Sequence, residues 1–215
     1  IKKYLKMGLC HGVTTNPTIL IKDGVTGGPG AIKQRMLEIA ELISPYELSV
    51  ELTKNDSAEE MIEEAKSIVS WGAENINIKV PIHGPNGELD NLEVIHELET
   101  RHNIKVNCTA IMSPQQGFLA ALAGASYVSL FCGRINNMGY DSREEVTKLR
   151  TLLDKYELKS KIISASTREA INITDWILAG SHIVTVVPQF IETMLVHPYS
   201  KETVQMFLND AKKNQ

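Results

Sequence analysis

The chain has 215 residues, of which 43% are hydrophobic and 22% are charged, and its formal net charge is −4. This composition is typical of a globular protein and excludes disordered and fibrous chains. Acidic and basic residues interleave along helical stretches such as 57–70 and 142–156, without the basic stripe of nucleic-acid-binding proteins. No apolar run reaches the roughly 18 residues of a membrane span. We therefore expect neither a nucleic-acid nor a membrane partner.

Cysteine usage indicates the redox environment. The three cysteines, Cys10, Cys108 and Cys132, form no CxxC pair and no even-numbered framework. This pattern favours a reduced, cytoplasmic protein without a metal site. Since Cys108 and Cys132 alternate with polar positions, we expect both to face a helix layer as small hydrophobic residues. The six histidines show no metal-like or triad-like spacing.

Seven short segments rich in apolar and β-branched residues recur along the chain, with amphipathic helical segments between them. The strand candidates are Gly12–Asn16, Glu47–Leu52, Ile76–Pro81, Ile104–Ile111, Ser126–Gly133, Lys161–Ser166 and Ile183–Pro188. Between two of them, Ala58–Val69 has its apolar residues at helical spacing. The alternation predicts parallel strands joined by helices, in a single domain over residues 1–215.

Polar residues within the strand candidates favour a closed barrel over an open sheet. An open sheet covered on both faces prefers continuous apolar runs, whereas a barrel lumen accepts polar side chains. The polar positions are Asn77, Lys79, Asn107, Thr109, Ser129, Ser164 and Ser166. Seven strands are one fewer than a (β/α)₈ TIM barrel requires. Because Ile1–Met7 has the pattern of a helix, we expect the first barrel strand to lie upstream of Ile1.

Lys79 is the strongest candidate for catalysis. It alternates with Ile78 and Val80, so its side chain projects to the face opposite the apolar residues. A lysine of ordinary pKa is only about 0.04% neutral at pH 7, so a nucleophilic amine needs burial. The alternative is a structural lysine that extends to solvent or pairs with Glu51 on the neighbouring strand.

The neighbours of Lys79 favour an active site, because the carboxyl ends of barrel strands converge on one mouth. Polar residues at or just beyond these ends are Asn16, Glu51, Asn107, Thr109, Ser129, Arg134, Ser166 and Arg168. Each also has a structural interpretation: a turn residue, a ladder hydrogen bond or a surface arginine. A carboxylate near a neutral lysine can relay protons through water. We expect Arg168 to begin a helix whose N-terminus, with Ser166, suits a phosphate group.

The segments GVTTNPTIL, NIKVP, NCTAI, SLFCGRI and SASTR, in this order, resemble the transaldolase family of class I aldolases. The resemblance covers essentially the whole chain. It implies that Lys79 forms an imine with a donor ketose and that Glu51 and Thr109 position a catalytic water. The substrate-binding residues that it implies are Thr15, Asn16, Asn107, Ser129, Phe131, Arg134, Ser166 and Arg168. Of these, Asn16 and Ser129 would hold hydroxyls of the dihydroxyacetone unit, and Arg134, Ser166 and Arg168 the phosphate.

The resemblance also implies a reaction. The enzyme would transfer a dihydroxyacetone unit between sugar phosphates, as in the pentose phosphate pathway. The reaction would need neither a metal nor an organic cofactor. The family also implies a ring-like homo-oligomer, such as a pentamer or decamer. The general acid/base of the family, an aspartate at the end of the first strand, is expected upstream of Ile1. Glu51 and Phe131 favour transfer, since aldolases of the family have Gln and Tyr there. The alternatives are a fructose-6-phosphate aldolase, a relative acting on a sulfonated ketose, and a non-catalytic barrel that binds a sugar phosphate.

Overall fold

The computed structural model describes residues 1–213 and contains a curled sheet of seven parallel strands, each paired with the next one along the chain. The strands are β1 Gly12–Thr14, β2 Glu47–Glu51, β3 Ile76–Pro81, β4 Val106–Ile111, β5 Tyr127–Leu130, β6 Lys161–Ser164 and β7 Ile183–Val184. β1 and β7 are the two edges. This half-barrel is consistent with a (β/α)₈ barrel lacking one strand, and it confirms the predicted fold class.

Helices connect the strands and cover the outer face of the sheet. They are α1 Lys2–Lys6, α2 Pro17–Lys22, α3 Gly28–Ile43, α4 Ala58–Val69, α5 Asp90–Thr100, α6 Pro114–Leu122, α7 Cys132–Asn137, α8 Ser142–Lys155, α9 Ile171–Leu178, α10 Pro188–Leu195 and α11 Pro198–Lys213. The predicted helix 58–69 is observed with the same bounds, and Ser57 caps it by accepting a hydrogen bond from the Glu60 amide. Within residues 1–213, no helix combines the length and apolarity needed to cross a membrane.

Alternation along the strands separates an apolar outer face from a polar inner face. The outward residues belong to the hydrophobic core under the helices, and they include Leu48, Val50, Ile78, Val106, Cys108, Val128 and Leu130. Cys132 is also part of this core, so both cysteines lie where the sequence predicted. Ser164 is an exception among the polar positions, because it pairs with Leu130 and donates to the Ser181 hydroxyl. It therefore lies on the outer side and does not line the lumen.

One irregularity interrupts the alternation in β4. The register with β5 shifts between the pairs Cys108↔Val128 and Ile111↔Leu130, so β4 contains one extra residue. Ala110 in this bulge has a φ of 59°, in the left-handed region that disfavours residues with a Cβ. The extra residue returns Ile111 to the apolar core, whereas strict alternation would turn it into the lumen. Thr109 is thereby the last lumen residue of β4.

We expect truncation of the core beneath Lys79 to destabilise the sheet. Ile78 on β3 is fully buried, so Ile78→Ala should lower the free energy of unfolding by about 2–5 kcal/mol. Ile21 on α2 is 71% exposed, and Ile21→Ala should change it by less than about 0.5 kcal/mol. Urea unfolding followed by far-ultraviolet circular dichroism measures both changes. Equal midpoints for the two variants would contradict the described packing.

Candidate active site

Lys79 lies in the lumen, near the carboxyl end of β3, with 5% of its surface exposed. Its Nζ donates to Oε2 of Glu51 at 2.8 Å and to the backbone carbonyl of Thr15 at 2.8 Å. Glu51 is the register partner of Lys79 on β2, and Thr15 directly follows β1. Three consecutive strands therefore hold one amine, and the structure excludes a lysine that extends to solvent. The pairing with Glu51 that the structural alternative proposed is present.

The surroundings of Lys79 change its acidity. Burial lowers the pKa of the ammonium group below its ordinary value of 10.5. The charge of Glu51 and its hydrogen bond oppose this effect but do not cancel it. A lower pKa means a larger neutral fraction at neutral pH, and the neutral amine is the nucleophile. Burial and pairing together therefore leave Lys79 more readily deprotonated than a surface lysine.

Glu51 and Thr109 flank the amine along the sheet. The Glu51 side chain is 19% exposed, so its carboxylate faces the mouth as well as the lysine. Thr109 is 1% exposed, and its hydroxyl has no hydrogen-bond partner among the described residues. A buried hydroxyl without a protein partner is uncommon, because its desolvation is costly. The pair is therefore equipped to hold a polar group of a substrate or a water molecule beside Lys79.

A second polar group lies across β2, β4 and β5. Ser129 donates its hydroxyl hydrogen to Oδ1 of Asn107 at 2.6 Å, and Nδ2 of Asn107 donates to Oγ of Ser49 at 3.2 Å. All three residues are buried. The sequence predicted Asn107 and Ser129 as site residues but missed Ser49. Its position two residues before Glu51, on the same face of β2, was the available signal.

Thr15 and Asn16 differ in how much of each side chain is left for a ligand. The Thr15 amide and hydroxyl both donate to the carbonyl of Ser49, at 3.0 and 2.9 Å. Oδ1 of Asn16 accepts from the Ile19 amide at 2.8 Å and caps α2. The structure therefore confirms the turn role considered for Asn16, and one lone pair of its oxygen is used by the helix. Its amide nitrogen has no bond to another described residue and can donate to a substrate hydroxyl.

Phe131 and Arg134 lie on the short segment that connects β5 to the first turn of α7. The guanidinium carbon of Arg134 is 5.2 Å from the centre of the Phe131 ring, within the range of a cation–π contact. Between them, Gly133 approaches the backbone of Ser166, and a Cβ on Gly133 would lie 1.7 Å from the Ser166 carbonyl oxygen. Only glycine fits there. This close contact brings the β5–α7 and β6–α9 segments together, and with them Arg134 and Arg168.

Arg168 does not begin a helix, so this part of the predicted phosphate site is wrong. α9 begins at Ile171, and the preceding residues form an irregular segment. Ser166 has a φ of 66°, and the Thr167 hydroxyl donates to the Thr185 carbonyl just beyond β7. These features hold the segment against the sheet edge and delay the helix. Arg134 and Arg168 are exposed and free to turn toward an anion.

Comparison with known proteins identifies the family. The family model described as Transaldolase/Fructose-6-phosphate aldolase matches residues 1–215. The chain belongs to this family. Among its relatives, a probable transaldolase of Exiguobacterium sibiricum is 38% identical over 100% of this chain and 94% of its own length. A probable transaldolase of Thermoplasma volcanium is 34% identical over 99% of this chain and 91% of its own length.

Membership of the transaldolase/fructose-6-phosphate aldolase family agrees with the composition of the lumen. Among the described residues, its polar groups are the Lys79 amine, the carboxylates of Glu47 and Glu51, hydroxyls and amides, all groups that act by proton transfer and hydrogen bonding. Within residues 1–213, no group of three or more histidine, cysteine or acidic residues is arranged to hold a metal ion.

The opposing effects on Lys79 can be separated by substitution. Glu51→Gln removes the carboxylate that raises the pKa of Lys79, so burial acts unopposed and that pKa should fall further. The pH dependence of Lys79 labelling by an amine-reactive reagent, followed by peptide mass spectrometry, measures the change. Glu47→Gln is the matched control, because Glu47 lies on the same strand but pairs with Lys105. An unchanged or raised pKa in Glu51→Gln would show that Glu51 does not oppose burial.

Proposed function

We propose that the protein is a transaldolase that transfers a dihydroxyacetone unit from a ketose phosphate, fructose 6-phosphate or sedoheptulose 7-phosphate, to an aldose phosphate. The observation that supports this most directly is Lys79, a buried lysine of lowered pKa held between Glu51 and the Thr15 carbonyl. A lysine kept only for stability has no need of a depressed pKa in a polar lumen. Family membership supports the same chemistry.

The proposed reaction begins with attack of the neutral Lys79 amine on the ketose carbonyl carbon. The ammonium proton that Lys79 gives up to become neutral passes to Glu51, and it returns through a water molecule held with Thr109 to the carbinolamine hydroxyl, which leaves as water. The C3–C4 bond then breaks, its electron pair moves to the iminium nitrogen, and the aldose phosphate departs. The C4 hydroxyl gives its proton to a general base as the bond breaks. The retained enamine attacks the second aldehyde, and hydrolysis of the new imine releases the product.

The substrate-binding residues divide into two groups in this proposal. Ser129, Asn107 and the amide nitrogen of Asn16 bind hydroxyls of the three-carbon unit near Lys79. Arg134, Arg168 and Ser166 bind the anionic end, with two guanidinium groups suited to a phosphate. A sulfonate carries the same oxygen geometry with less charge, so a sulfonated ketose is the alternative donor.

We further propose a single-domain, cytoplasmic homo-oligomer. Large apolar side chains on α10 and α11 are exposed, among them Leu195, Tyr199 and Phe207. Exposed apolar surface of this extent favours association with another chain. The ring-like pentamer or decamer implied by the family resemblance is the arrangement that we expect, and sedimentation measures its size.

The imine is directly testable. Incubation with fructose 6-phosphate followed by borohydride reduction should give an adduct on Lys79, identified by peptide mass spectrometry. Lys79→Met should form no adduct. Its transaldolase activity should fall by at least about 10³-fold, because covalent catalysis is removed. Lys66→Met, at a surface lysine of α4, is the matched control and should retain both. Binding of fructose 6-phosphate without any adduct would instead favour a non-catalytic sugar-phosphate-binding barrel.

Transfer and simple cleavage differ in the fate of the enamine. Phe131 has no proton to give, so the enamine persists until an aldehyde arrives, whereas a tyrosine hydroxyl there can protonate it. We expect slow cleavage of fructose 6-phosphate without an acceptor and an increase of about tenfold or more in Phe131→Tyr. A coupled assay of released glyceraldehyde 3-phosphate, with and without erythrose 4-phosphate, measures this. Fast acceptor-free cleavage by the parent protein would favour a fructose-6-phosphate aldolase.

A further inference from the structure

Ser49 connects the two polar groups of the site. It is buried on β2, two residues before Glu51, and lies between β1 and β3 in the sheet. Its hydroxyl oxygen accepts from Asn107, and its backbone carbonyl accepts both hydrogen bonds from Thr15. The Thr15 carbonyl in turn accepts from Lys79. One residue therefore supports the lysine through its backbone and the Asn107–Ser129 pair through its side chain.

The side-chain half of this arrangement holds the Asn107 amide between two serine hydroxyls. Nδ2 of Asn107 donates to Ser49 at 3.2 Å, and Oδ1 accepts the hydroxyl hydrogen of Ser129 at 2.6 Å. Both ends of the buried amide are therefore bonded. Ser129 has only one hydroxyl hydrogen, so toward the lumen it offers only lone pairs. A substrate hydroxyl at Ser129 must then be the donor.

We propose that Ser49 is a positioning residue that holds the Asn107 amide, and through it the Ser129 hydroxyl, in place to bind a hydroxyl of the three-carbon unit. Without the Ser49 hydroxyl, one end of the Asn107 amide is buried without a partner in either orientation. The amide is then held only by Ser129, and both side chains lose their fixed position. The inference rests on the proposed function, since it assigns the selectivity of that same site.

The backbone half of the arrangement survives a side-chain substitution. Ser49→Ala keeps the carbonyl that accepts from Thr15, and so keeps the support of Lys79. The variant should therefore retain the pH profile of borohydride trapping while losing recognition of a substrate hydroxyl. A general loosening of the structure would disturb both properties.

The test measures selectivity. The kcat/KM for transfer from fructose 6-phosphate to erythrose 4-phosphate is divided by the values for the 1-deoxy and 3-deoxy donors, in the parent, Ser49→Ala, Ser129→Ala and the double variant. Ser129→Ala identifies the hydroxyl that Ser129 recognises, because one of the two ratios falls. In Ser49→Ala the same ratio should fall by about fivefold, the worth of one hydrogen bond. In the double variant the ratio should fall no further than it does in Ser129→Ala alone.

Ser160→Ala is the matched control, because Ser160 is a buried serine whose hydroxyl donates to the Ala125 carbonyl before β5 and β6 begin, at the amino end of the sheet. Its ratios should equal those of the parent. If Ser49→Ala does not fold, Ser49→Cys, with a weakly accepting thiol, must give the same loss. A ratio within twofold of the parent, or additive losses in the double variant, overturns the inference while the proposed function stands. Absence of any Lys79 adduct in the parent protein overturns the proposed function and this inference with it.

Discussion

The hydrogen-bonded pair of Lys79 and Glu51 is the interaction on which the rest of the site depends. A lysine this deeply buried retains its charge only if acceptors surround it, and loss of one partner of such a pair costs about 3–5 kcal/mol. The acceptors come from β1 and β2, one as a backbone carbonyl and one as a carboxylate. The carbonyl belongs to the backbone and cannot rotate away, whereas the carboxylate is on a side chain that is 19% exposed. The amine is therefore held by one rigid and one movable partner.

A second carboxylate, Glu47, lies at the opposite end of the lumen from Lys79. Glu47, at the amino end of β2, accepts from Asn77 at 2.8 Å and from Lys105 at 2.5 Å. Burial opposes ionisation of Glu47, yet the hydrogen bonds from Lys105, Tyr127 and Asn77 together lower its pKa. The Glu47 carboxylate therefore occupies the lower end of the lumen, and Lys105, Tyr127 and Asn77 supply its hydrogen bonds. Lys79 has its own acceptors, Glu51 and the Thr15 carbonyl.

The period-two pattern of the strands was sufficient to predict the fold and the inner position of Lys79. Seven strands and the helix 58–69 follow from local apolar spacing alone. The bulge at Ala110 could not be predicted, because alanine is a poor residue for a positive φ and gives no local signal. The helix predicted from Arg168 is wrong for a related reason, because the sequence gives no local signal for the irregular segment before Ile171. The left-handed Ser166 and the bond from Thr167 to Thr185 are tertiary features that no propensity encodes.

The sequence identifies the polar residues of the site but not the hydrogen bonds between them. Strand position identifies Asn107 and Ser129, but their hydrogen-bond network also includes Ser49, which lies 58 residues from Asn107 along the chain. Asn16 shows the opposite case, since the TTNP turn predicts the cap on α2 as well as a ligand contact, and the structure uses the oxygen for the cap. Roles that depend on which atom of an amide is occupied need the neighbours, and parallel strands bring neighbours from distant parts of the sequence.

The segment from Ser129 to Arg134 links the two ends of the proposed substrate. Ser129 ends the inner face of β5, Phe131 forms the N-cap of α7, and Arg134 stacks over the Phe131 ring. The contact between Gly133 and the Ser166 backbone prevents this segment from moving relative to the β6–α9 segment. In the proposed reaction, the separation between the end that would bind hydroxyls and the end that would bind the anion is set by covalent geometry and one close backbone contact, and only the exposed arginine side chains remain adjustable. Such a site would be strict about the three-carbon unit beside Lys79 and tolerant of chain length beyond it, which is what the proposed transfer between ketoses of six and seven carbons requires.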